Sequence, residues 1–145
     1  MTTQRKLIRG QQKEELDASK LQLGPDFEHA QPLTMSEANA VIRAIREHRR
    51  QQNQGEEAPM TEVMRKTLNY VDAFTKYRED DQTHAIDRIL SSAAMLHPFE
   101  RAQLGTLGLE EAEEAKTLVP SLATKIEDDQ LQQLLDELSA LRRYA

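Results

Sequence analysis

Apolar side chains recur along the chain at the three- and four-residue spacing that is typical of one helix face. The first row is short and narrow, and we expect its helix to begin with Ser36 as the N-cap residue. Its members are Ala38, Val41, Ile42 and Ile45. The second row is broader and predicts a helix that begins near Thr61 and faces the core of a helical bundle. Its members are Val63, Met64, Leu68, Val71 and Phe74.

The remaining rows predict four more helices and complete an all-α fold. A third helix is expected to begin near Asp81 or Thr83, and a fourth at Pro98, because proline suits the first turn of a helix. A short helix follows and stops before Pro120, and a long amphipathic helix ends the chain. The predicted core positions of the third and fourth helices are Ile86, Ile89, Leu90, Ala93, Leu96, Phe99, Ala102 and Leu107. Those of the last helix are Leu131, Leu134, Leu135, Leu138 and Leu141.

The stretch VPSL at residues 119–122 predicts a corner between the last two helices. A residue before proline favours an extended backbone, and proline lacks the N–H group that a continuing helix would need. We therefore expect Leu118 and Leu122 to point inward and Ile126 to contact Leu131 as the last helix begins. This corner is interpreted as structural, because it returns the chain onto its own core.

The segment LQLGPDFEHAQPLT at residues 21–34 differs from the rest of the chain. Gly24, Pro25 and Pro32 exclude a continuous helix, and the segment has too few apolar side chains to bury itself. Those side chains are Leu21, Leu23, Phe27 and Leu33. With the polar linker QQNQGEEAP at residues 51–59, this pattern predicts a mobile N-terminus at 1–17, a partner-binding region at 18–58 and a helical bundle domain at 59–145.

Composition narrows the range of functions. Charged residues make up 30 % of the chain and the mean hydropathy is −0.72, which favours long exposed faces. The chain has no cysteine, so thiolate metal sites and cysteine nucleophiles are excluded, and its four histidines lack the pairwise spacing of metal ligands. No stretch is apolar enough to predict a membrane span, and no motif predicts nucleotide binding or catalysis.

Two surfaces of the first predicted helix allow more than one interpretation. Arg43, Arg46 and Arg50 lie opposite its apolar row, and such a charged face is either simply solvated or meets an acidic partner. The apolar row itself is separated from the bundle by the linker. It either packs within the chain or, together with the segment before it, forms a binding surface.

Three stretches also resemble a known family. They are ASKLQLGPDFEHAQPLTMSEA at 18–38, KTLNYVDAF at 66–74 and EEAKTLVPSLATKIEDDQLQQLLDEL at 113–138. Together they are similar to the fourth-largest subunit of RNA polymerase II, over about residues 18–141. The motif around Pro120 is the most specific part, and the polar linker is shorter than in some members of that family.

The resemblance implies a fold and a partner. The fold is an extended N-terminal segment and helix, followed by a bundle similar to the helicase-and-RNase-D C-terminal domain. The partner is the seventh subunit of RNA polymerase II, an OB-fold protein with which the family forms a heterodimeric stalk in the nucleus, and also in the cytoplasm. The stalk acts in transcription initiation and transcript handling. The implied partner-binding residues are Leu21, Leu23, Phe27, Leu33, Val41, Ile42 and Ile45.

This function requires no catalytic residue, cofactor, metal, membrane or small-molecule substrate, and it leaves RNA contacts mainly to the partner. The alternative is a free-standing helical module that binds nucleic acid. Residues 100–145 carry ten acidic side chains against five basic ones, so repulsion from phosphate argues against that alternative. An enzyme is the least favoured class, because the sequence lacks a catalytic constellation.

Overall fold

The computed structural model describes residues 15–143, without the side chain of Arg143, and every regular element in that range is a helix. The α-helices are α1 (Met35–Gln52), α2 (Glu62–Phe74), α3 (Asp80–Ser92), α4 (Pro98–Leu107), α5 (Ala112–Leu118) and α6 (Asp128–Arg143). Short 3-10 turns span Ala18–Lys20 and Pro120–Leu122. The predicted all-α class is confirmed, whereas the likeness to the helicase-and-RNase-D domain stays a prediction. Most of the segment 1–17 that we predict to be mobile lies outside the described residues.

The helix starts follow from local capping. Thr61 caps α2 as predicted, and Pro98 occupies the first turn of α4 behind His97, whose Nδ1 accepts a hydrogen bond from the Phe99 N–H. The predicted cap of α1 is wrong by two residues. Thr34 is the N-cap, because its hydroxyl accepts from the Glu37 N–H while the Glu37 carboxylate accepts from the Thr34 N–H.

One hydrophobic core joins α3, α4, α5 and α6. Its buried side chains come from residues 77–138, and Leu131 and Leu135 of α6 are fully enclosed. The Tyr77 hydroxyl donates to the Leu138 carbonyl at 2.9 Å and ties the chain before α3 to α6. The core includes most of the predicted positions of α3 and α6. In α4 the fully buried apolar residue is Leu104, whereas the predicted anchor Leu107 is 38 % exposed.

The corner at Pro120 forms as a 3-10 turn between α5 and α6. Leu122 is fully buried, and Ile126 and Leu131 join the same core, as the sequence predicts. Leu118 contradicts the prediction, because it lies on the outer side of α5 and is 54 % exposed. Inside the corner, Lys125 Nζ contacts both carboxylate oxygens of the buried Glu100 at 2.9 and 3.1 Å.

The first turn of α1 is docked on the bundle rather than separated from it. The Met35 N–H donates to the Thr106 hydroxyl at 3.1 Å, and the Tyr77 N–H donates to the Ser36 hydroxyl at 3.2 Å. Thr34 and Ser36 are both buried. Beyond this turn α1 extends alongside α2, which packs against it and buries only Val71 completely. The two helices therefore form a hairpin that stands on the bundle at one end.

Candidate partner interface

The segment before α1 folds back along the bundle. Asp17 caps the turn Ala18–Lys20 and pairs with Gln22 in an isolated antiparallel bridge, with N–H to carbonyl distances of 3.0 and 2.9 Å. The chain then turns at Gly24, whose φ of 85° suits glycine. The Ala18–Lys20 turn lies beside the Pro120–Leu122 turn, so the corner of the bundle supports this extended segment.

Three of the predicted partner-binding residues lie together in this segment. Leu21, Leu23 and Phe27 line an open cavity of about 550 Å³ with the exposed side chain of Leu16 and with His97 at the start of α4. Leu21 and Leu23 are half-buried. Phe27 is 63 % exposed. This exposure is unfavourable, because a phenyl ring has a larger apolar surface to remove from water than most side chains. The segment thus partly covers itself and leaves an opening that both apolar and polar side chains line.

A second cavity shares Leu23 and Phe27 with the first and is more apolar. Its volume is about 640 Å³. Phe99 of α4 and Pro32 complete its mainly apolar lining. Leu33, the next apolar residue along the chain, is 45 % exposed. The cavities lie between the extended segment and the start of α4, where no helix of the described chain covers them.

The other three predicted residues lie on α1, beyond its docked first turn. Val41 and Ile45 are each 46 % exposed, and one helical turn separates them, so they form a row along one side of α1. Ile42 is half-buried. The structure therefore distributes the seven predicted residues over two surfaces, one on the extended segment and one on the α1 hairpin. Their role in binding a partner stays a prediction.

The helix α2 carries a third set of exposed apolar side chains, which the sequence-based assignment to the core missed. Val63, Tyr70 and Phe74 are 76 %, 57 % and 51 % exposed. The rings of Tyr70 and Phe74 contact each other with their centroids 4.7 Å apart. The breadth of the apolar row was the available signal, because one neighbouring helix covers only part of so broad a row. In the structure Val71 is buried and Leu68 is half-buried, whereas Met64 is 41 % exposed.

The charged groups of the described residues were compared with the requirements of a metal site and of a membrane span. Among residues 15–143, His, Asp and Glu side chains make no cluster of three that could hold a metal ion. The same residues include no helix that is long and apolar enough to cross a bilayer. The most buried carboxylate, Glu100, accepts hydrogen bonds from Lys125 and from the His97 N–H. These contacts explain its burial by a structural role.

Glu100 has a lowered pKa despite its burial. Burial by itself raises the pKa of the Glu100 carboxyl, but the hydrogen bonds from Lys125 and from the His97 N–H help to outweigh that effect, and the pKa lies below its ordinary value. A carboxylate that stays ionised and paired in this way stabilises the fold and is unsuited to proton transfer near neutral pH.

Comparison with known proteins assigns the family. Residues 32–142 match the model of the family described as RNA polymerase Rpb4. The chain is 50 % identical over 130 residues to DNA-directed RNA polymerase II subunit rpb4 of Schizosaccharomyces pombe, a match that covers 90 % of this chain and 94 % of that protein. It is 35 % identical over 138 residues to DNA-directed RNA polymerase II subunit 4 of Arabidopsis thaliana, with coverage of 90 % and 96 %.

A shorter match involves the Saccharomyces cerevisiae subunit RPB4. That protein is 46 % identical over 78 residues, which are 54 % of this chain and only 35 % of the yeast protein. The family model spans residues 32–142 and so includes the hairpin and the bundle, from before α1 to one residue before the end of α6. With this coverage, the chain belongs to the RNA polymerase Rpb4 family.

Proposed function

We propose that this chain is a non-catalytic subunit of nuclear DNA-directed RNA polymerase II and forms a heterodimeric stalk with the OB-fold-containing seventh subunit. The family assignment and the identity of its relatives as RNA polymerase II subunits support membership of the polymerase. In this proposal the stalk acts in transcription initiation and transcript handling. The chain itself has no cofactor or small-molecule substrate, and RNA is contacted mainly through the partner.

The observation that carries the heterodimer proposal is the exposure of large apolar side chains on the extended segment and on α1. Phe27, Leu33, Val41 and Ile45 are between 45 % and 63 % exposed, and the bundle core is complete without them. Apolar patches of this kind on a soluble protein mark contact surfaces. We extend the proposed surface to Val63, Tyr70 and Phe74 of α2, because they add aromatic area of the type that dominates binding hot spots.

Two variants on α1, one within the apolar row and one about 60° around the helix axis from Val41, test this function directly. Val41→Glu introduces a carboxylate into the proposed interface, and Ala44→Glu introduces the same charge at an exposed position outside the apolar row. Loss of a hot-spot contact of about 2 kcal/mol weakens binding roughly thirtyfold. We therefore expect Val41→Glu to raise the dissociation constant for the purified seventh subunit by at least that factor, and Ala44→Glu to change it less than about threefold.

Calorimetric titration with the seventh subunit measures both constants. If the two variants bind equally well, the apolar row of α1 is not part of the interface. If the unmodified chain does not bind that subunit at all, the proposed partner is wrong. Mass spectrometry of proteins captured by the tagged chain from nuclear extract then identifies the actual partner.

A separate measurement distinguishes the alternative of a nucleic-acid-binding module. We expect the purified chain alone to bind single-stranded RNA poorly at physiological salt, and addition of the seventh subunit to supply most of the affinity. Fluorescence anisotropy with a labelled oligonucleotide is the measurement. Submicromolar binding by the isolated chain, with a steep dependence on salt, would favour the alternative.

A further inference from the structure

The hairpin of α1 and α2 contains a basic cleft that the proposed heterodimer does not use. The cleft has a volume of about 390 Å³ and lies between the C-terminal half of α1, the connector at residues 57–61 and the start of α2. Four arginines of α1 line it, namely Arg43, Arg46, Arg49 and Arg50. Pro59, Met60 and Met64 supply an apolar wall. Four cations within eight residues stand out in a chain with a net charge of −6.

The cleft lies on a different side of α1 from the proposed partner surface. At about 100° per residue, Arg46 and Arg50 are more than 90° around the helix axis from Val41 and Ile45. Arg43 also lies about 160° from both Val41 and Ile45, whereas Arg49 lies about 40° from Ile45, at the edge of the apolar row. Three of the four cleft arginines therefore face away from that row.

The internal ion pairs of the cleft are exposed and replaceable. Arg46 contacts Glu57 at 3.6 Å, and Arg43 contacts Asp80 at 3.7 Å. The side chains of these two arginines are 42 % and 55 % exposed to solvent, respectively. Arg50 contacts Glu47 at 2.9 Å and is 47 % exposed. Arg49 makes no ion pair with the described residues 15–143. Exposed pairs of this type contribute little to stability, so an external carboxylate can displace them.

We propose that this cleft binds an acidic segment of a protein partner. Its carboxylates would pair with Arg46, Arg49 and Arg50, and an apolar side chain would lie against Met60 and Met64. Arginine is suited to this role because its planar guanidinium binds a carboxylate through two parallel hydrogen bonds. The apolar wall adds selectivity for a peptide in which acidic and apolar residues alternate.

The lining favours a peptide over RNA. No aromatic side chain lines the cleft, whereas proteins that bind single strands supply aromatic rings on which the bases stack. Glu47 and Glu57 stand among the arginines and would repel a continuous run of phosphates.

The test uses the full chain and a fluorescein-labelled peptide in which glutamates alternate with leucine and serine. The same peptide with glutamine in place of glutamate, and a single-stranded oligouridylate of equal length, serve as comparison ligands. Anisotropy should show binding of the acidic peptide that weakens as salt is raised and is absent for the glutamine peptide. The double variant Arg46→Gln/Arg49→Gln should weaken that binding roughly fivefold to tenfold.

The matched control removes two positive charges elsewhere, in the variant Lys76→Gln/Arg88→Gln at exposed positions outside the cleft. The control should retain the affinity of the unmodified chain within about twofold. If both double variants lose the same affinity for the acidic peptide, the binding depends only on net charge, and the proposal is overturned. Absence of binding to the acidic peptide, or equal binding of the glutamine peptide, would also overturn it. Tighter and Arg46-dependent binding of the oligouridylate would assign the cleft to nucleic acid instead.

Discussion

At the scale of single residues, Glu100 shows how a buried charge is used for structure. Its side chain is fully buried, and its carboxylate accepts hydrogen bonds from the His97 N–H at 2.7 Å and from Lys125 at 2.9 Å. These contacts join the start of α4 to the corner before α6. Removing one partner of such a pair leaves the other partly buried and unpaired, which costs more than the intact pair contributes.

Glu100→Gln should therefore destabilise the fold by about 1–3 kcal/mol at neutral pH, since Lys125 keeps some access to water. Because the folded-state pKa of Glu100 lies below its ordinary value of 4.5, ionised Glu100 stabilises the fold above that pH. The stabilisation is lost as pH falls through the folded-state pKa. The difference between the two proteins should shrink over this acidic range, as measured by urea unfolding at several pH values.

Glu110→Gln is the matched control, because Glu110 pairs with Arg142 at 3.1 Å but its side chain is 67 % exposed. Its effect should stay below about 1 kcal/mol at every pH. If Glu100→Gln has an equally small effect at neutral pH, the buried pair does not hold the corner. A difference between Glu100→Gln and the unmodified chain that does not change with pH would contradict the lowered pKa.

At the scale of elements, the sequence predicts where most helices begin and end, but it predicts less well which side of each helix is buried. The Thr61 cap, the Pro98 start and the turn at Pro120 follow from local backbone chemistry, and all are found where predicted. The cap of α1 was misassigned because both Thr34 and Ser36 are good caps. Only Thr34 has a glutamate three residues later, Glu37, with which it forms a capping box. The Ser36 hydroxyl instead accepts a hydrogen bond from the Tyr77 N–H.

The side of a helix that is buried depends on neighbours that are distant in sequence. Periodicity identifies the apolar row of α2, and the corner predicts an inward Leu118 in α5, but neither pattern says which neighbour covers these side chains. Phe74 and Leu118 remain exposed because α1 and α6 cover only part of each helix. The seven predicted interface residues likewise form two surfaces, a grouping that follows from the fold of the extended segment along α4 and the corner.

The docking of α1 on the bundle depends on the absence of a side chain at Gly105. A Cβ atom there would lie 2.6 Å from Thr34 Cγ2 and 2.9 Å from Leu90 Cδ1. Gly105→Ala should destabilise the chain by about 1–3 kcal/mol, even though alanine is the better helix former. Thr34→Ser removes the closest atom and keeps the capping hydroxyl.

The combined variant Gly105→Ala/Thr34→Ser should regain part of that loss. Its stability should therefore exceed the value expected if the two single effects were added. Urea unfolding of the two single variants and the double variant measures this interaction energy. Strictly additive effects would show that the first turn of α1 does not press against α4 at this position.

At the scale of the whole molecule, we propose two separate roles for the apolar residues. Leu135 and its neighbours complete a core that spans residues 77–138, whereas Ile45 stands on a hairpin that contacts the bundle mainly through its first turn. The sequence predicts both rows equally well, because each has helical spacing. The family assignment and the exposure of Ile45 together support the interpretation that one row folds the chain and the other binds its partner.

The most direct test of this division compares Ile45→Glu with Leu135→Glu in two assays, thermal unfolding of the isolated chain and affinity for the seventh subunit. Ile45→Glu should leave the melting transition within a few degrees of the unmodified chain and weaken binding at least roughly thirtyfold. Leu135→Glu places a charge in a fully enclosed position, where even truncation costs about 2–5 kcal/mol, and should abolish cooperative melting without any partner. Loss of cooperative melting in Ile45→Glu, together with a folded Leu135→Glu that merely binds more weakly, would contradict the account.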